Sequence, residues 1–205
     1  MAKKTKSEAE NTRKKIIEAA RGVFLERGVI RATFENIAKA AGVTRGAIYW
    51  HFSNKAELFF AMREDAFTPL IERTDAALYA SSYDNPLDAI GSSLTEFFGV
   101  IQESATVRAV FEIMMSRCEY VDEFACVQEE LDRPALNFLA KIEQIYQLAL
   151  EKKTLHPRIS PHDAARDTWV FTVGLLNLVL VPRRNIDIAS DLAHMIESHM
   201  ELKRA

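Results

Sequence analysis

The stretch from Thr33 to Lys55, TFENIAKAAGVTRGAIYWHFSNK, constrains the fold more than any other part of the 205-residue chain. Its first apolar residues recur at helical spacing, and Thr33 precedes them as a favourable N-cap. Gly42 follows, where a helix end favours a residue that tolerates the left-handed conformation. Thr44 then caps a second helix, which we predict over Arg45–His51. Two short helices joined by a glycine turn are typical of a helix-turn-helix.

The second helix of this motif carries more large polar-tipped side chains than so short an element can bury. Only two of its residues, Ala47 and Ile48, form a packing face, and the small Gly46 allows the backbone to approach a partner closely. An arginine and aromatic hydrogen-bonding groups on a capped helix suit the major groove of DNA. The residues that we expect to contact DNA are Thr33, Thr44, Arg45, Gly46, Tyr49, Trp50, His51 and Lys55.

Chemistry assigns different roles to these residues. Arg45 suits guanine O6 and N7, and Tyr49 suits a thymine methyl group or a phosphate. The hydroxyls of the two threonines, the imidazole of His51 and the ammonium of Lys55 suit phosphate oxygens. An alternative is that the aromatic residues of this stretch, including Trp50, pack the core of the small domain instead.

The charge distribution agrees with DNA binding at one end of the chain. The net charge is −3, which by itself argues against a nucleic-acid partner. Residues 1–60, however, contain 12 Lys and Arg against 6 Asp and Glu, whereas residues 61–205 contain 14 against 23. A basic first part on an acidic second part predicts phosphate contact that is confined to the first part.

The block from Ile16 to Leu58, with GVTRGAIYWHFSNKAEL at its centre, resembles the DNA-binding domain of TetR-type transcriptional repressors. The opening AKKTKSEAENTRKKIIEAA, the run RGAIYWHF and the triplet Arg117-Cys118-Glu119 resemble the branch that regulates multidrug efflux pumps. The resemblance implies a homodimer whose last two helices pack with their mates as a four-helix bundle. Such a dimer reads a near-palindromic operator with half-sites about 34–36 Å apart, or a multiple of this.

The rest of the chain predicts an all-α fold, because strand signals are scarce and long segments follow the helical period. We place a helix-turn-helix DNA-binding domain at residues 1–54 and a helical ligand-binding and dimerisation domain at residues 55–205. Pro69 should bend one helix, and Pro134 should kink or split another. The predicted further helices are Glu8–Arg27, Asn54–Tyr79, Pro86–Gln102, Thr106–Arg117, Phe124–Lys152, Pro161–Val181 and Ile188–Leu202.

The helix before the last is apolar on nearly every face from Trp169 to Val181, which indicates cover by a partner subunit. The second domain is also rich in aromatic and methionine side chains, which form either its core or an adaptable pocket for an apolar, aromatic ligand. The resemblance implies such a pocket, and the sequence alone does not locate it. The candidate lining residues are Phe67, Phe97, Phe111, Met114, Met115, Cys118, Phe138, Trp169 and Asn177.

Other classes of protein find little support in the sequence. No catalytic constellation, cofactor motif or phosphate-binding glycine loop occurs, and the histidines lack metal-ligand spacing, so we expect no enzyme, no cofactor and no metal. No apolar run is long enough to span a membrane and the N-terminus is charged, so we expect a cytoplasmic protein. Its two cysteines, Cys118 and Cys126, are then free thiols. Two functions remain: a repressor released by a small molecule, or a regulator of the same fold that answers to a protein partner.

Overall fold

The computed structural model describes residues 6–80, 82–120, 124, 127–181 and 188–205. About 78% of the chain is helical, and over the described residues the β-pairing is an isolated bridge between Leu155 and Arg204. The all-α prediction is therefore confirmed. The α-helices are α1 Lys6–Arg27, α2 Phe34–Ala41, α3 Arg45–His51, α4 Lys55–Leu78, α5 Pro86–Glu103, α6 Ala105–Glu112, α7 Val127–Glu151, α8 Pro161–Leu180 and α9 Leu192–Glu201.

The caps that the sequence predicts for the helix-turn-helix form as expected. Thr33 accepts a hydrogen bond from the Asn36 amide at the start of α2, and Gly42 ends that helix in the left-handed conformation at φ 65°. Thr44 accepts from the Ala47 amide at the start of α3. Capping of this kind supports α2 and α3, which with 8 and 7 residues are too short to be stable in isolation.

The chain divides into two compact units, of which the first comprises Met1–Thr68 and Ala105–Gln128. Its core joins Ile16 and Phe24 of α1 to Ile37 of α2, Ile48 of α3 and Leu58 of α4, and none of these side chains is exposed. The short helices thus owe their stability to an apolar core that they share with α1 and α4.

The second compact unit comprises Pro69–Ser104 and Glu129–Ala205. Its core contains a short chain of polar groups: the Tyr146 hydroxyl lies 2.7 Å from Thr168 Oγ1, which lies 3.1 Å from His199 Nε2. The imidazole stacks on the Phe171 ring with centroids 4.0 Å apart. The hydroxyls of Tyr146 and Thr168 and the Nε2 atom of His199 therefore each have a hydrogen-bond partner, as burial requires.

Three helices differ from the sequence prediction. The helix predicted over Thr106–Arg117 stays α-helical only to Glu112 and continues as a π-turn over Ile113–Arg117. Pro134 does not split α7, which is continuous around it and begins at Val127. The last helix begins at Leu192, four residues later than predicted, because the chain before it folds as a turn.

The division between the compact units falls inside α4, between Thr68 and Pro69. The first unit also takes in the segment that holds α6 and the π-turn. An independent domain ending at residue 54, and a bend of α4 at Pro69, stay predictions.

Candidate nucleic-acid interface and effector region

Helix α3 presents its large side chains to solvent. Trp50 is 72% exposed and Tyr49 is 50% exposed, whereas Ile48 of the same helix is fully buried. The Tyr49 ring is supported from one side by an edge-on contact with Phe34 of α2, with centroids 5.1 Å apart. These two exposed rings therefore do not pack in the core of the domain, although the alternative interpretation placed Trp50 there. Phe52, which is 2% exposed, does pack there.

Arg45 and Tyr49 form an organised pair on the exposed face of α3. The guanidinium donates a hydrogen bond to the Tyr49 hydroxyl at 3.0 Å and lies 5.3 Å from the centre of its ring. This hydrogen bond is the main reason why the pKa of Arg45 is raised, and the carboxylate of Glu35 adds a smaller effect. The contact joins residues four apart, the spacing at which side chains meet along one face of a helix. It aligns a planar donor group along the outer surface of the helix.

Gly46 is not required by the packing of the protein. A Cβ built at this position would meet only Thr44 Oγ1, at an ordinary van der Waals distance of 3.9 Å. Its backbone also lies outside the left-handed region that favours glycine. The fold therefore tolerates a larger residue at this position, and close approach of DNA to Gly46 stays a prediction.

The remaining predicted contacts are more constrained. The Thr33 hydroxyl donates to Asn36 Oδ1 at 2.9 Å, so its hydrogen is engaged within the capping box. The His51 ring is half-buried and packs edge-on against Trp50, with centroids 4.5 Å apart. The Lys55 ammonium donates to the carbonyl oxygens of Val29 and Ile30, each at 3.1 Å. DNA contact by these residues stays a prediction.

Exposed basic side chains surround this motif within the first compact unit. Arg13 lies over the Phe52 ring, at 5.3 Å from its centre, so α1 places a cation beside the end of α3. Lys14, Lys15 and Lys39 are exposed. The helix-turn-helix is therefore bordered by positive charge, as phosphate contact requires.

The structure brings two of the predicted effector-binding side chains together. The rings of Phe67 on α4 and Phe111 on α6 lie 4.4 Å apart at a tilt of 33°, and the guanidinium of the buried Arg63 lies 5.7 Å from the Phe67 ring. These residues belong to the first compact unit, together with Met114, Met115 and Cys118. The other predicted lining residues, Phe97, Phe138, Trp169 and Asn177, belong to the second unit, and a site shared by all nine stays a prediction.

Two of these predicted residues have notable surroundings. Burial raises the pKa of the Cys118 thiol to about 11, so the sulfur stays protonated near neutral pH and is a poor nucleophile. Asn177 is exposed on α8. Cys126, which we also predict to be a free thiol, lies outside the described residues.

A depression of about 250 Å³ lies between α5 and α9 in the second compact unit. It is lined by acidic side chains, small α5 residues and Arg204, which pairs with Asp88. None of the predicted effector-binding residues lines it.

The apolar helix α8 leaves part of its surface uncovered in a single chain. Val170 is 68% exposed and Val173 is 38% exposed, and Val181, which follows the last residue of the helix, is 44% exposed. Leu202, next to the end of α9, is 77% exposed. Valine and leucine side chains at this level of exposure favour burial against another surface.

The part of the chain that the structure describes contains no group of three or more His, Cys, Asp or Glu residues that could hold a metal ion. Among the same residues, no helix is both long enough and apolar enough to cross a membrane.

Comparison with known protein families identifies the family to which the chain belongs. A sequence model described as "Bacterial regulatory proteins, tetR family" matches residues 16–62. A second, described as the C-terminal region of MAATS-type transcriptional repressors, matches residues 85–204, more than half of the chain. The chain belongs to the TetR family. The identification of this family from GVTRGAIYWHFSNKAEL is confirmed.

Individual relatives of the TetR family agree with this placement over nearly the whole chain. The HTH-type transcriptional regulator TtgR of Pseudomonas putida is 32% identical over 100% of this chain and 97% of its own. The structure of NalD, the secondary repressor of the MexAB-OprM multidrug efflux pump in Pseudomonas aeruginosa, superposes with a TM-score of 0.85. It is 33% identical and covers 97% of this chain and 98% of its own.

A structure described as a SmeT–triclosan complex superposes with a TM-score of 0.81, at 27% identity, and covers 95% of this chain and 92% of its own. Relatives of this TetR-family chain are thus transcriptional regulators, and the predicted resemblance to the efflux-regulating branch is confirmed.

Proposed function

We propose that the chain is a ligand-responsive transcriptional repressor of a multidrug efflux pump. It binds a near-palindromic operator as a homodimer and is released by an apolar or aromatic small molecule. The observation that carries the proposal is the outward-facing Arg45–Tyr49 pair on α3, beside a glycine whose small size the protein itself does not need. The alternative of control by a protein partner finds no support among the relatives.

DNA reading follows from the chemistry of α3. An arginine that makes a bidentate contact to guanine discriminates against the wrong base by about 1–3 kcal/mol. Arg45→Gln should therefore weaken operator binding by about 5-fold to 150-fold per half-site. Arg158→Gln, an exposed arginine in the second unit, is the matched control and should leave the affinity unchanged.

The operator itself can be recovered by selection from random DNA and then compared with the DNA upstream of the gene. We expect a near-palindrome whose half-sites are separated by about one helical turn or a multiple of it. Selection that yields no sequence preference for the wild-type protein would contradict the proposal.

Dimerisation is supported by the exposed apolar side chains of α8 and of the end of α9. Val170→Glu and Leu202→Glu place charges among these side chains, so we expect each to reduce the mass measured by light scattering from twice the 23.2 kDa chain mass to the chain mass. Leu136→Glu changes a comparably exposed leucine on α7, at 61%, and should leave the dimer intact. If the protein remains a dimer in both Val170→Glu and Leu202→Glu, the dimer interface lies elsewhere.

Release by an aromatic ligand is supported by the Phe67–Phe111 contact and by the complex of the relative SmeT with triclosan. Ligand must bind more tightly to a conformer with low DNA affinity, and a coupling of about 1–3 kcal/mol weakens operator binding about 5-fold to 150-fold. Fluorescence anisotropy with labelled operator, titrated with triclosan and a panel of aromatic antibiotics and dyes, measures this. Operator affinity that stays within about twofold for every compound contradicts control by aromatic ligands.

The proposed repressor would act in the cytoplasm, where its DNA lies, and would not catalyse a reaction.

A further inference from the structure

The Lys55 side chain is turned toward its own protein. Lys55 is the first residue of α4 and is half-buried. Its ammonium donates to the carbonyl oxygens of Val29 and Ile30, at 3.1 Å each, in the turn that connects α1 to α2. An ammonium has three donors, so these two bonds engage most of its capacity. The start of α4 is thereby tied to the turn that precedes the helix-turn-helix.

The same turn is held from another direction by the π-turn. The Val29 amide donates to the Arg117 carbonyl at 2.8 Å. Gly28 suits this turn because its φ of 77° lies in the left-handed region that favours glycine, and a Cβ built on it would lie 3.4 Å from the Arg117 oxygen. The Val29 side chain is fully buried. Residues 28–30 therefore lie between the first residue of α4 and the last residue of the π-turn.

An aromatic contact completes the connection. The Lys55 ammonium lies 5.7 Å from the centre of the Phe124 ring. Phe124 is fully buried and meets Phe59 of α4 edge-on at 5.7 Å, and Phe59 contacts Phe24 of α1 at 6.1 Å. The attraction between a cation and an aromatic face favours the ammonium in this position. One side chain thus joins the α1–α2 turn to the region that follows the π-turn.

We propose that Lys55 is a positioning residue that holds the α1–α2 turn, and with it the start of α2, against Phe124 and in place for the Val29 amide to bond the Arg117 carbonyl. Thr33 caps α2 only three residues after Ile30, so a displacement of the turn displaces the DNA-reading motif. A rearrangement of Ile113–Arg117 would therefore reach the start of α2 through Val29. π-turns occur often at functional sites, which agrees with such a role. The inference rests on the proposed DNA-binding function, and it replaces a phosphate contact by Lys55 with an internal one.

Two variants separate the internal contact from a phosphate contact. Lys55→Met removes the charge and keeps the apolar length of the side chain. Phe124→Leu leaves the ammonium in place and removes its aromatic neighbour. Lys39→Met, which removes an exposed charge from α2, is the control. The first readout is hydrogen exchange of the Val29 amide in the free protein, measured by NMR. It requires no DNA, so it decides the role of Lys55 even if the proposed function fails.

The second readout is the salt dependence of operator affinity. Loss of one phosphate contact lowers the slope of log K against log salt by about 0.9. We expect Lys55→Met and Phe124→Leu each to accelerate exchange of the Val29 amide about tenfold and to weaken operator binding at an unchanged slope. Lys39→Met should leave the Val29 exchange rate unchanged. If Lys55→Met does not fold, Phe124→Leu carries the same expectation by itself.

Two results would overturn the proposal. One is a Val29 exchange rate in Lys55→Met, or in Phe124→Leu, that equals the wild-type rate. The other is a slope reduced by about 0.9 per half-site in Lys55→Met, which assigns the ammonium to phosphate. Wild-type protein that shows no sequence-specific binding contradicts the repressor function instead. The exchange measurement then still tests whether Lys55 positions the α1–α2 turn.

Discussion

Replacing Gly46 by alanine should stabilise the protein and weaken its binding to the operator. Gly46 is the second residue of α3. A methyl group there meets nothing closer than Thr44 Oγ1 at 3.9 Å, so the folded chain accepts it without a clash. Alanine is favoured over glycine in helices by about 1 kcal/mol, partly because an unfolded chain with alanine has less conformational freedom to lose on folding than one with glycine. We therefore expect the free energy of unfolding to rise by about 0.5–1 kcal/mol.

A gain of this size raises Tm by about 2–4 °C per kcal/mol for a chain of this length. Differential scanning calorimetry measures it, at equal protein concentrations because the Tm of a dimer depends on concentration. If the backbone at Gly46 lies against DNA, the methyl group overpacks that contact, at a cost of about 1–3 kcal/mol. Operator affinity should then fall about 5-fold to 150-fold per half-site, measured by anisotropy at a single fixed salt concentration.

Gly22→Ala is the matched control for Gly46→Ala. Gly22 lies inside α1, and a Cβ built there has nothing within 4 Å. It should raise Tm by a similar amount and leave operator affinity unchanged. The reasoning is refuted if Gly46→Ala binds the operator as tightly as wild type, since the glycine then does not face DNA. A fall in Tm for Gly46→Ala would show that the methyl group meets the protein itself.

Three further predictions concern stability. Thr33→Ala removes the N-cap of α2 and should cost about 1 kcal/mol in chemical denaturation. Tyr146→Phe removes the hydroxyl that meets Thr168 in the core, at a cost of about 1–2 kcal/mol by the same measurement; no loss would mean that the hydrogen bond is not formed. Burial lowers the pKa of His199 from 6.5 to about 4. The unfolded chain therefore takes up a proton as pH falls below 6.5 while the folded chain does not, and stability should fall by up to about 3 kcal/mol between pH 6.5 and 4. His199→Gln should flatten this part of the pH profile, whereas the exposed His194→Gln should not.

Local patterns were sufficient to predict the elements of the helix-turn-helix. Thr33 and Thr44 cap their helices, and Gly42 ends α2 in the left-handed conformation, as the spacing indicated. Pro161 stands in the first turn of α8 after the capping Ser160. Each of these features depends on hydrogen bonds or steric limits within four residues, so a short stretch of sequence contains all the information.

The features that the sequence does not predict, such as the surroundings of Lys55, depend on contacts between segments that are distant along the chain. The sequence offered Lys55 as a phosphate ligand, because a lysine at a helix start in a basic region fits that role. Tertiary structure places its ammonium against two carbonyl groups from 25 and 26 residues earlier in the chain. The π-turn also carries no local signal, since the periodicity of its apolar residues is that of a helix.

The effector region shows the same limit. Aromatic residues recur in the sequence at helical spacing whether they fill a core or line a pocket, and only packing shows that Phe67 meets Phe111. The sequence by itself determined the all-α class, the helix-turn-helix and the residues that α3 presents, because caps, periodicity and side-chain chemistry act over short distances. Tertiary structure alone decided which polar groups are engaged within the protein. Hydrogen bonds such as those of Lys55, Thr168 and His199 join segments whose separation along the chain has no fixed pattern.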